Sequence, residues 1–441
     1  MKNNFNSRAI TRRKFVKNAA AAGSALIFPQ IVPRSVFGKQ APSNRIHMGC
    51  IGVGRMGRTD LQAFLEFDQL RVLAVCDLDA NRAVDARILV EKTYADSLKQ
   101  NKYNGCTVYH KYEELLARSD IDVVSVVTPD HWHATCAMAA AKAGKDMYIE
   151  KPMTRTIDQG RKLCLAVNRY GVIVQVGSQQ RSDVKFRYAC ELVRNGRIGK
   201  LHTVKVGLPL DAATTPQKPM PIPKALDYDR WLGVAPWKPY TEKRVHPQEG
   251  YGRPGWMRVN DYTAGMITNW GAHHVDIALW GMGNLASSPV DIIGQAEFPK
   301  DGLWDVHGKF RVEYNFNSGV RLICASENGI KQGIRFEGDK GWVFVRRGLL
   351  EADPKKILNS KIRQNEINLY HSNDHHENFI ECVKSRNRTA APVEVGHLAN
   401  TFCLLGEIAM NVHEELKWDM AREQFIANTK ANRLLFTPAR I

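Results

Sequence analysis

Apolar positions along this chain follow two spacings, and each spacing predicts a type of element. An early apolar run leads into a glycine-rich loop, after which Leu61, Phe64 and Leu65 recur on one face of a helix. Two later apolar runs, 71–77 and 123–127, are continuous rather than alternating, as in strands buried on both faces of a parallel sheet. This part of the chain is therefore predicted to be a doubly wound α/β domain.

The second half of the chain has the pattern of a strand-rich domain. Two apolar runs, 309–316 and 320–327, flank the turn residues 317–319, which predicts a hairpin. A further run at 341–347 predicts another strand. The Pro-rich segment 214–226 is predicted to be an exposed loop or arm.

The glycine-rich loop has the spacing Gly-x-Gly-x-x-Gly of a dinucleotide-binding turn. Gly52 allows the tight turn, Gly54 lets the backbone approach a pyrophosphate, and Gly57 permits the helix to pack closely on the strand. The free N–H groups at the start of the helix, where Arg55 and Met56 lie, face the phosphates. These five residues are predicted to contact the cofactor.

Asp77 ends the second strand, twenty residues after Gly57. A carboxylate at this place accepts hydrogen bonds from the ribose hydroxyls of the adenosine and repels a 2′-phosphate, so NAD is favoured over NADP. The alternative is that Asp77 only caps the turn after the strand.

Two later strand ends point to the same place. Thr128 and Pro129 follow one buried strand, and Glu150 and Lys151 follow the next. Because ligands gather at the carboxyl ends of parallel strands, these residues are predicted to meet at the nicotinamide.

Longer motifs resemble the glucose-fructose oxidoreductase, inositol dehydrogenase and rhizopine-catabolism family, shortened to Gfo/Idh/MocA. They are the glycine loop, VVTPDHWH, AGKDMYIEKP, YDRWLGVAPWKPY, NWGAHHVDIALWGMG and ENFIECVKSR, and they cover nearly the whole chain after its N-terminal segment. The resemblance implies a Rossmann domain, placed at residues 44–170, and a C-terminal α/β domain at residues 171–441 with an open, mostly antiparallel sheet. It also implies NAD as cofactor and a homo-oligomer, either a dimer or a tetramer.

By this resemblance, the EKP motif supplies a lysine, Lys151, that touches the substrate hydroxyl and the nicotinamide region. An ammonium beside a hydroxyl stabilises the charge that develops on the oxygen as hydride departs. Family members commonly carry an acid four residues before a histidine, and the matching residues here are Asn269 and His273. Asparagine can orient a hydroxyl but cannot take a proton, so His273 is predicted to be the general base.

If a helix begins near Gly271, His273 lies in its first turn, where the positive end of the helix favours the neutral imidazole. Asp276 shares a helix face with His273 and either fixes its tautomer or only favours the helix start. His274 points away from His273 and is assigned to packing or to the rim of the substrate site.

Aromatic and histidine side chains surround these motifs. Trp132 and His133 are predicted to border the nicotinamide, and Trp132 also to contact the substrate. Four further aromatic residues offer either flat surfaces for a pyranose ring or ordinary core: Trp231, Trp237, Tyr240 and Trp256. The spacing of four histidines fits no standard ligand set, so no metal is predicted at His131, His133, His273 and His274.

The resemblance implies an oxidoreductase that takes hydride from a ring CH–OH group of a sugar or glycoside. In the alternative, the same oxidation acidifies the neighbouring carbon, a glycosidic bond is eliminated, water adds and the hydride returns, as in the NAD-dependent glycosidases of the family. A third possibility is a sugar-binding protein without activity, which the presence of both Lys151 and His273 disfavours.

Charge and cysteine content narrow the classes of partner. The 441 residues carry a formal net charge of +17, but the basic clusters lack the interleaved aromatic residues of a groove for single-stranded nucleic acid. We predict solvated basic faces and no nucleic-acid partner.

The nine cysteines form no Cys-x-x-Cys pair and several lie in apolar runs, which indicates buried thiols rather than disulfides or a zinc site.

The N-terminus has the pattern of an export signal. The first 38 residues contain seven Lys or Arg and no acid, and the segment RRKFVK matches the twin-arginine motif. The apolar run 19–33 that follows is too short and interrupted to span a bilayer comfortably. We interpret residues 1–38 as a signal peptide for the twin-arginine export machinery and expect a periplasmic protein that folds around NAD before export and retains it. A disordered basic tail is the alternative.

Overall fold

The structure is a computed structural model that describes residues 45–100, 103–287, 290–327 and 329–436. The segment interpreted as a signal peptide, residues 1–38, lies outside these ranges. Within them, no helix is both long enough and apolar enough to cross a membrane.

Six parallel strands form the sheet of the N-terminal domain: β1 (Ile46–Ile51), β2 (Leu70–Cys76), β3 (Thr107–Tyr109), β4 (Val123–Val126), β5 (Asp146–Ile149) and β6 (Val174–Val176). Their order is β3-β2-β1-β4-β5-β6, which confirms the predicted doubly wound sheet. The chain order reverses between β1 and β4, and a crevice opens there at the carboxyl ends of the strands. The last strand lies a few residues beyond the predicted domain end at residue 170.

The described residues of this domain form six helices: α1 (Arg55–Leu65), α2 (Ala80–Thr93), α3 (Ala95–Lys99), α4 (Tyr112–Leu116), α5 (Asp130–Lys142) and α6 (Ile157–Tyr170). The face of α1 that carries Leu61, Phe64 and Leu65 is buried, as its spacing predicts. The carboxylate of Asp79 accepts hydrogen bonds from two N–H groups at the start of α2 and so fixes where that helix begins.

A second sheet of nine strands follows: β7 (Leu201–Leu208), β8 (Val290–Ala296), β9 (Phe310–Phe316), β10 (Arg321–Ser326), β11 (Gly333–Gly338), β12 (Gly341–Arg346), β13 (Leu349–Asp353), β14 (Leu416–Asp419) and β15 (Gln424–Phe425). The order is β13-β12-β11-β7-β10-β9-β8-β14-β15. Only β7 and β10 pair in parallel among these described strands. The predicted mostly antiparallel sheet is therefore confirmed, and β9 and β10 form the predicted hairpin.

The described helices of the second domain are α7 (Val184–Arg194), α8 (Tyr228–Leu232), α9 (Met266–Asn269), α10 (Gly271–Met282), α11 (His375–Ser385), α12 (Val393–Val412) and α13 (Thr429–Arg433). Helices α10 and α12 pack on each other and on the nine-stranded sheet. Because α10 is buried along almost its whole length, its histidines lie inside the protein rather than on a solvated face.

Between β7 and α9 the chain makes a long excursion, residues 209–265, that we call the roof segment. Its Pro-rich part is largely exposed coil, as predicted. The rest has a hydrophobic cluster of its own, in which Leu226, Tyr228, Trp231 and Tyr262 pack together and contact Leu78 of the first domain. The roof segment is thereby held over the end of β2.

All nine cysteines lie within the described residues, and all are buried free thiols, which confirms the prediction of buried thiols. Burial raises the pKa of Cys50 to about 12, so this thiol stays protonated at neutral pH.

Candidate functional site

A cavity lies at the carboxyl ends of β1, β2, β4 and β5, between the glycine loop and the roof segment. Twelve of the residues predicted from sequence line it: Gly52, Gly54, Arg55, Met56, Asp77, Thr128, Pro129, Trp132, His133, Glu150, Lys151 and Asn269. The fold therefore brings together residues that are spread over more than two hundred positions of the chain.

The three glycines of the loop have different surroundings. Gly52 has φ +82°, a conformation that side chains rarely adopt, so it forms the tight turn. A Cβ at Gly57 would lie 2.1 Å from the carbonyl oxygen of Gly52, so close packing requires the third glycine. A Cβ at Gly54 would meet only the Arg82 guanidinium, at 3.2 Å, so the space beside Gly54 is open toward the cavity. The loop thus leaves a cradle that a side chain at this position would fill.

Asp77 joins two backbone segments at the end of β2. Its Oδ2 accepts a hydrogen bond from the Val53 N–H at 2.9 Å, and its Oδ1 accepts one from the Asp79 N–H at 2.9 Å. The side chain therefore caps the turn after the strand and also tethers the glycine loop. Each carboxylate oxygen retains a lone pair for a ribose hydroxyl, so the two interpretations of Asp77 are compatible.

The other end of the cavity holds two polar atoms without partners. Thr128 Oγ1 and His133 Nε2 are both buried and make no hydrogen bond among the described residues. His133 Nδ1 lies 2.7 Å from the Pro152 carbonyl and donates to it, which leaves Nε2 as an acceptor in the neutral ring. Burial lowers the pKa of His133 to about 4, so the ring is neutral. A hydroxyl and an imidazole acceptor suit the carboxamide of a nicotinamide.

Lys151 lies where the two domains meet. Its Nζ donates to Oδ1 of Asn269 at 3.4 Å and lies 3.8 Å from Oε2 of Glu150. Glu150 is 2% exposed, and its Oε2 also accepts the Lys151 backbone N–H at 3.1 Å. The arrangement brings an ammonium, an amide and a carboxylate together at the wall of the cavity.

His273 lies in the first turn of α10, because this helix begins at Gly271 as predicted. Its Nδ1 is buried without a partner among the described residues, and its ring packs 5.9 Å from Trp270. Burial and the charge of Lys151 hold the pKa of His273 well below its usual value, so the imidazole is neutral. His273 is not one of the described residues that line the cavity. It lies behind Lys151 rather than beside the nicotinamide end.

The neighbours of His273 differ from the expected ones. Both carboxylate oxygens of Asp276 bind Arg181, at 2.7 and 2.8 Å, so Asp276 does not set the tautomer of His273. His274 is 1% exposed, and its Nδ1 lies 3.3 Å from Oε1 of Gln180. The structure places His274 in packing and not at the cavity, because α10 is buried on every face.

The aromatic candidates separate by position. Trp231 and Trp256 line the cavity, and Trp132 Nε1 donates to the Trp231 carbonyl at 2.9 Å. Tyr240 is buried in the roof cluster, and Trp237 is 57% exposed, so neither offers a surface to a ligand in the cavity.

His131 also binds the Trp231 carbonyl, at 2.9 Å. Among the described residues no group of three or more His, Cys, Asp or Glu has metal-binding geometry.

Contacts from the roof segment reach residues 79–82, which follow β2 at the edge of the cavity. The Ala80 N–H donates to the Ala225 carbonyl at 2.8 Å, and His246 Nε2 lies 2.8 Å from Oδ2 of Asp79. The Arg82 guanidinium donates to the Pro247 carbonyl at 3.0 Å. The cavity-lining residues that sequence reasoning missed include His110, Tyr112, Arg230 and His246. The strand-end rule points to the first two, since they follow β3, whereas no local signal marks the others.

Two family models match the chain. The oxidoreductase family model for the NAD-binding Rossmann fold matches residues 46–178, and the model for the C-terminal alpha/beta domain matches residues 211–441. Both models belong to Gfo/Idh/MocA, and the second alone spans more than half of the chain.

Known relatives match a smaller part of the chain than the two family models do. A protein named uncharacterized oxidoreductase YrbE from Bacillus subtilis is 32% identical over 164 residues, which are 37% of this chain and 44% of that protein. A glycosyl hydrolase family 109 protein from Shewanella putrefaciens is 30% identical over 169 residues, 34% of this chain and 35% of that protein. The chain therefore spans less than half the length of these relatives.

Solved structures share the fold over most of the chain. The WlbA dehydrogenase from Bordetella pertussis, in complex with NADH and UDP-GlcNAcA, has a TM-score of 0.60 and 16% identity. The alignment covers 84% of this chain and 97% of that chain. At this identity the likeness shows a common fold.

Proposed function

Because the chain belongs to the Gfo/Idh/MocA oxidoreductase family, we propose that it is an NAD-dependent dehydrogenase acting on a ring CH–OH group of a sugar or glycoside. One observation carries the proposal. Lys151 Nζ and Asn269 Oδ1 adjoin the end of the cavity where Thr128 and His133 leave polar atoms free for a nicotinamide. The dinucleotide accepts the hydride when it is bound there.

The side chains of the site have separate roles in this proposal. Asn269 orients the substrate hydroxyl through its amide, and the Lys151 ammonium stabilises the negative charge that develops on the oxygen. His273, behind Lys151, is the candidate for the group that finally holds the hydroxyl proton. Gly54 and Arg55 hold the pyrophosphate at the start of α1, and Asp77 holds the adenosine ribose.

The roof segment supports a second part of the proposal, that NAD is held tightly and recycled in place. Its contacts to Asp79 and Arg82 cover the adenosine end, so the dinucleotide leaves only after they break. A resident cofactor would serve an enzyme exported folded through the twin-arginine route to the periplasm, which we propose from residues 1–38. We also propose a homo-oligomer formed through the open sheet.

A panel of glycosides incubated with the purified protein tests the activity. We expect a product that has lost two hydrogens, together with the absorbance of bound NADH. Lys151→Met is expected to abolish both signals while NAD binding remains, and Lys142→Met, at an exposed position of α5, is the matched control. Loss of activity in the control alone, or full activity in Lys151→Met, would contradict the assignment.

The same assay separates the alternative, a glycosidase that uses transient oxidation. Its support is the 30% identity to a glycosyl hydrolase family 109 protein over about a third of this chain. Release of the aglycone without net reduction of NAD would favour this alternative, whereas a keto-sugar that keeps its aglycone favours the dehydrogenase.

A further inference from the structure

Glu150 is a buried acid whose carboxylate is held in place by hydrogen bonds from both a side chain and the main chain. Its Oε1 accepts a hydrogen bond from Gln179 Nε2 at 2.8 Å, and its Oε2 accepts the Lys151 N–H. The second hydrogen of the Gln179 amide goes to the Tyr148 hydroxyl at 3.1 Å, which fixes the orientation of the amide. A Cβ at Gly177 would lie 2.2 Å from Oε1 of Glu150, so the carboxylate packs directly against the Gly177 backbone.

The charge balance around this carboxylate is unusual. Lys151 is the one cation among the described residues within 4 Å of it, and 3.8 Å is too long for a direct hydrogen bond. A second buried acid, Asp60 on α1, faces it and is itself paired with His376 of α11 at 3.2 Å. Tyr148 of β5 and Arg347, after β12, are the other ionisable groups near it. Burial and the Asp60 charge raise the pKa of Glu150 to about 7, against the opposing effect of Lys151.

Two other polar groups near Lys151, Asn269 and His273, are poor proton acceptors. Asn269 is an amide and has no basic site. His273 does not line the cavity, its Nδ1 is enclosed without a partner, and burial beside Lys151 disfavours its protonated form. Glu150 is the remaining group in contact with Lys151 that can gain a proton.

We propose that Glu150 is the proton acceptor of the oxidation and acts through Lys151. Once the 3.8 Å gap closes to hydrogen-bond distance in the substrate complex, Lys151 passes one proton from its ammonium to Oε2 of Glu150 and takes the proton of the substrate hydroxyl, while the hydride leaves the ring carbon for the nicotinamide. The O–H and C–H bonds break, the C=O double bond forms, and the pair ends as an ammonium beside a neutral carboxylic acid. The proposal rests on the proposed function, and it transfers the role of base from His273 to the Glu150–Lys151 pair.

Two variants test the proposal with a readout that does not depend on turnover. In the wild-type protein without substrate, the infrared absorption of protonated carboxylic acids should grow as pH falls through about 7. The part that comes from Glu150 should appear in the difference between the wild type and Glu150→Gln, because Asp130, whose pKa burial also raises to about 7, contributes equally to both. In Asp60→Asn the same band should move to lower pH, because removal of the neighbouring negative charge makes ionisation of Glu150 easier. Glu191→Gln, which alters a buried glutamate paired with Arg187 far from the cavity, is the matched control.

The rates give the second readout. Sugar oxidation by the wild type should rise with pH through the same midpoint, because Glu150 must be ionised to accept the proton. Glu150→Gln should lose this dependence and about 10²-fold of kcat, a typical contribution of a positioned proton acceptor. Asp60→Asn should shift the midpoint of the rate profile together with the infrared band.

Two results would overturn the proposal: a Glu150→Gln enzyme that keeps the wild-type midpoint at a reduced rate, or an infrared band that does not respond to Glu150→Gln. The first would mean that Glu150 only positions Lys151 and that the proton goes elsewhere. A wild-type protein that binds NAD but oxidises no sugar would instead contradict the proposed function itself.

Discussion

Nζ of Lys151 lies 3.4 Å from Oδ1 of Asn269, although the two residues are 118 positions apart. Lys151 follows β5 of the parallel sheet and Asn269 ends α9 of the second domain. The pair exists only when both domains are folded and docked, so the site responds to changes in either domain.

The glycine loop should separate folding from cofactor binding. Gly54→Ala places a methyl group beside the cavity, where it meets only the flexible Arg82 side chain, so we expect a folded protein that has lost NAD binding. Gly57→Ala forces the methyl group against the Gly52 carbonyl oxygen, so we expect a lower unfolding temperature as well. Thermal unfolding and NAD titration of both variants check this, and equal stability of the two would contradict it.

Asp77 should determine which dinucleotide is preferred. Asp77→Asn keeps the shape of the side chain and removes the charge that repels a 2′-phosphate. Its single amide oxygen can accept from only one of the Val53 and Asp79 N–H groups, so the anchor of the glycine loop is weakened as well. Hydrogen bonds to charged groups contribute about 1.5–3 kcal/mol, so we expect NAD affinity to fall by roughly 10- to 100-fold and the preference over NADP to shrink. Fluorescence titration with both dinucleotides measures this. An unchanged ratio of affinities would mean that Asp77 serves only the turn.

Tyr251 of the roof segment should slow the release of NAD. Its ring centroid lies 4.8 Å from the Arg58 guanidinium and 5.0 Å from that of Arg82, and its hydroxyl donates to Asp85 at 3.2 Å. Removal of cation–π contacts and a hydrogen bond amounts to about 1–2 kcal/mol, so Tyr251→Ala should speed dissociation by roughly tenfold. Stopped-flow displacement measures the rate, and Trp237→Ala, on an exposed part of the same segment, should leave it unchanged.

Buried neutral histidines should make stability fall in acid. Burial lowers the pKa of His274 to about 3, below the value of 6.5 in an unfolded chain. Between these values the unfolded state binds one more proton, so the stabilisation is complete above pH 6.5 and is lost as pH falls. The slope is about 1.4 kcal/mol per pH unit for this group. Urea unfolding of the wild type and His274→Gln at two pH values should show wild-type stability declining relative to the variant by about 2 kcal/mol between pH 6.5 and 5.

The comparison of the wild type with His274→Gln cancels the contributions of other groups whose effect on stability has the opposite pH dependence. Burial raises the pKa of Asp130 to about 7, so this acid favours the folded state as pH falls, which is the opposite sign. Both proteins contain Asp130, and only the difference between them reports His274. A difference that does not change with pH would mean that the ring is protonated in the folded state.

Local rules account for the part of the site that belongs to the first domain. Gly52, Gly54 and Asp77 could be placed because backbone conformation and strand direction depend on a few neighbouring residues. Glu150 could be placed at the cavity for the same reason. Its surroundings could not, since Asp60 and Gln179 reach it from other elements.

The second domain shows where such rules end. The start of α10 at Gly271 follows from sequence, but the partner of Asp276 is Arg181, ninety-five positions away. His274 faces the interior because α12 and the nine-stranded sheet cover α10. The periodicity of residues within that helix does not reveal this burial. The roof segment contacts Asp79 through His246 across 167 positions, and nothing near either residue signals the contact.

The sequence by itself determined the fold class, the dinucleotide loop and the acid at the end of β2, because short-range sterics and strand polarity fix these features. Tertiary structure alone decided which carboxylate stands behind Lys151, which histidines face the interior and how the adenosine end is covered. Those outcomes depend on desolvation and charge from distant segments, which act only after the two domains pack together.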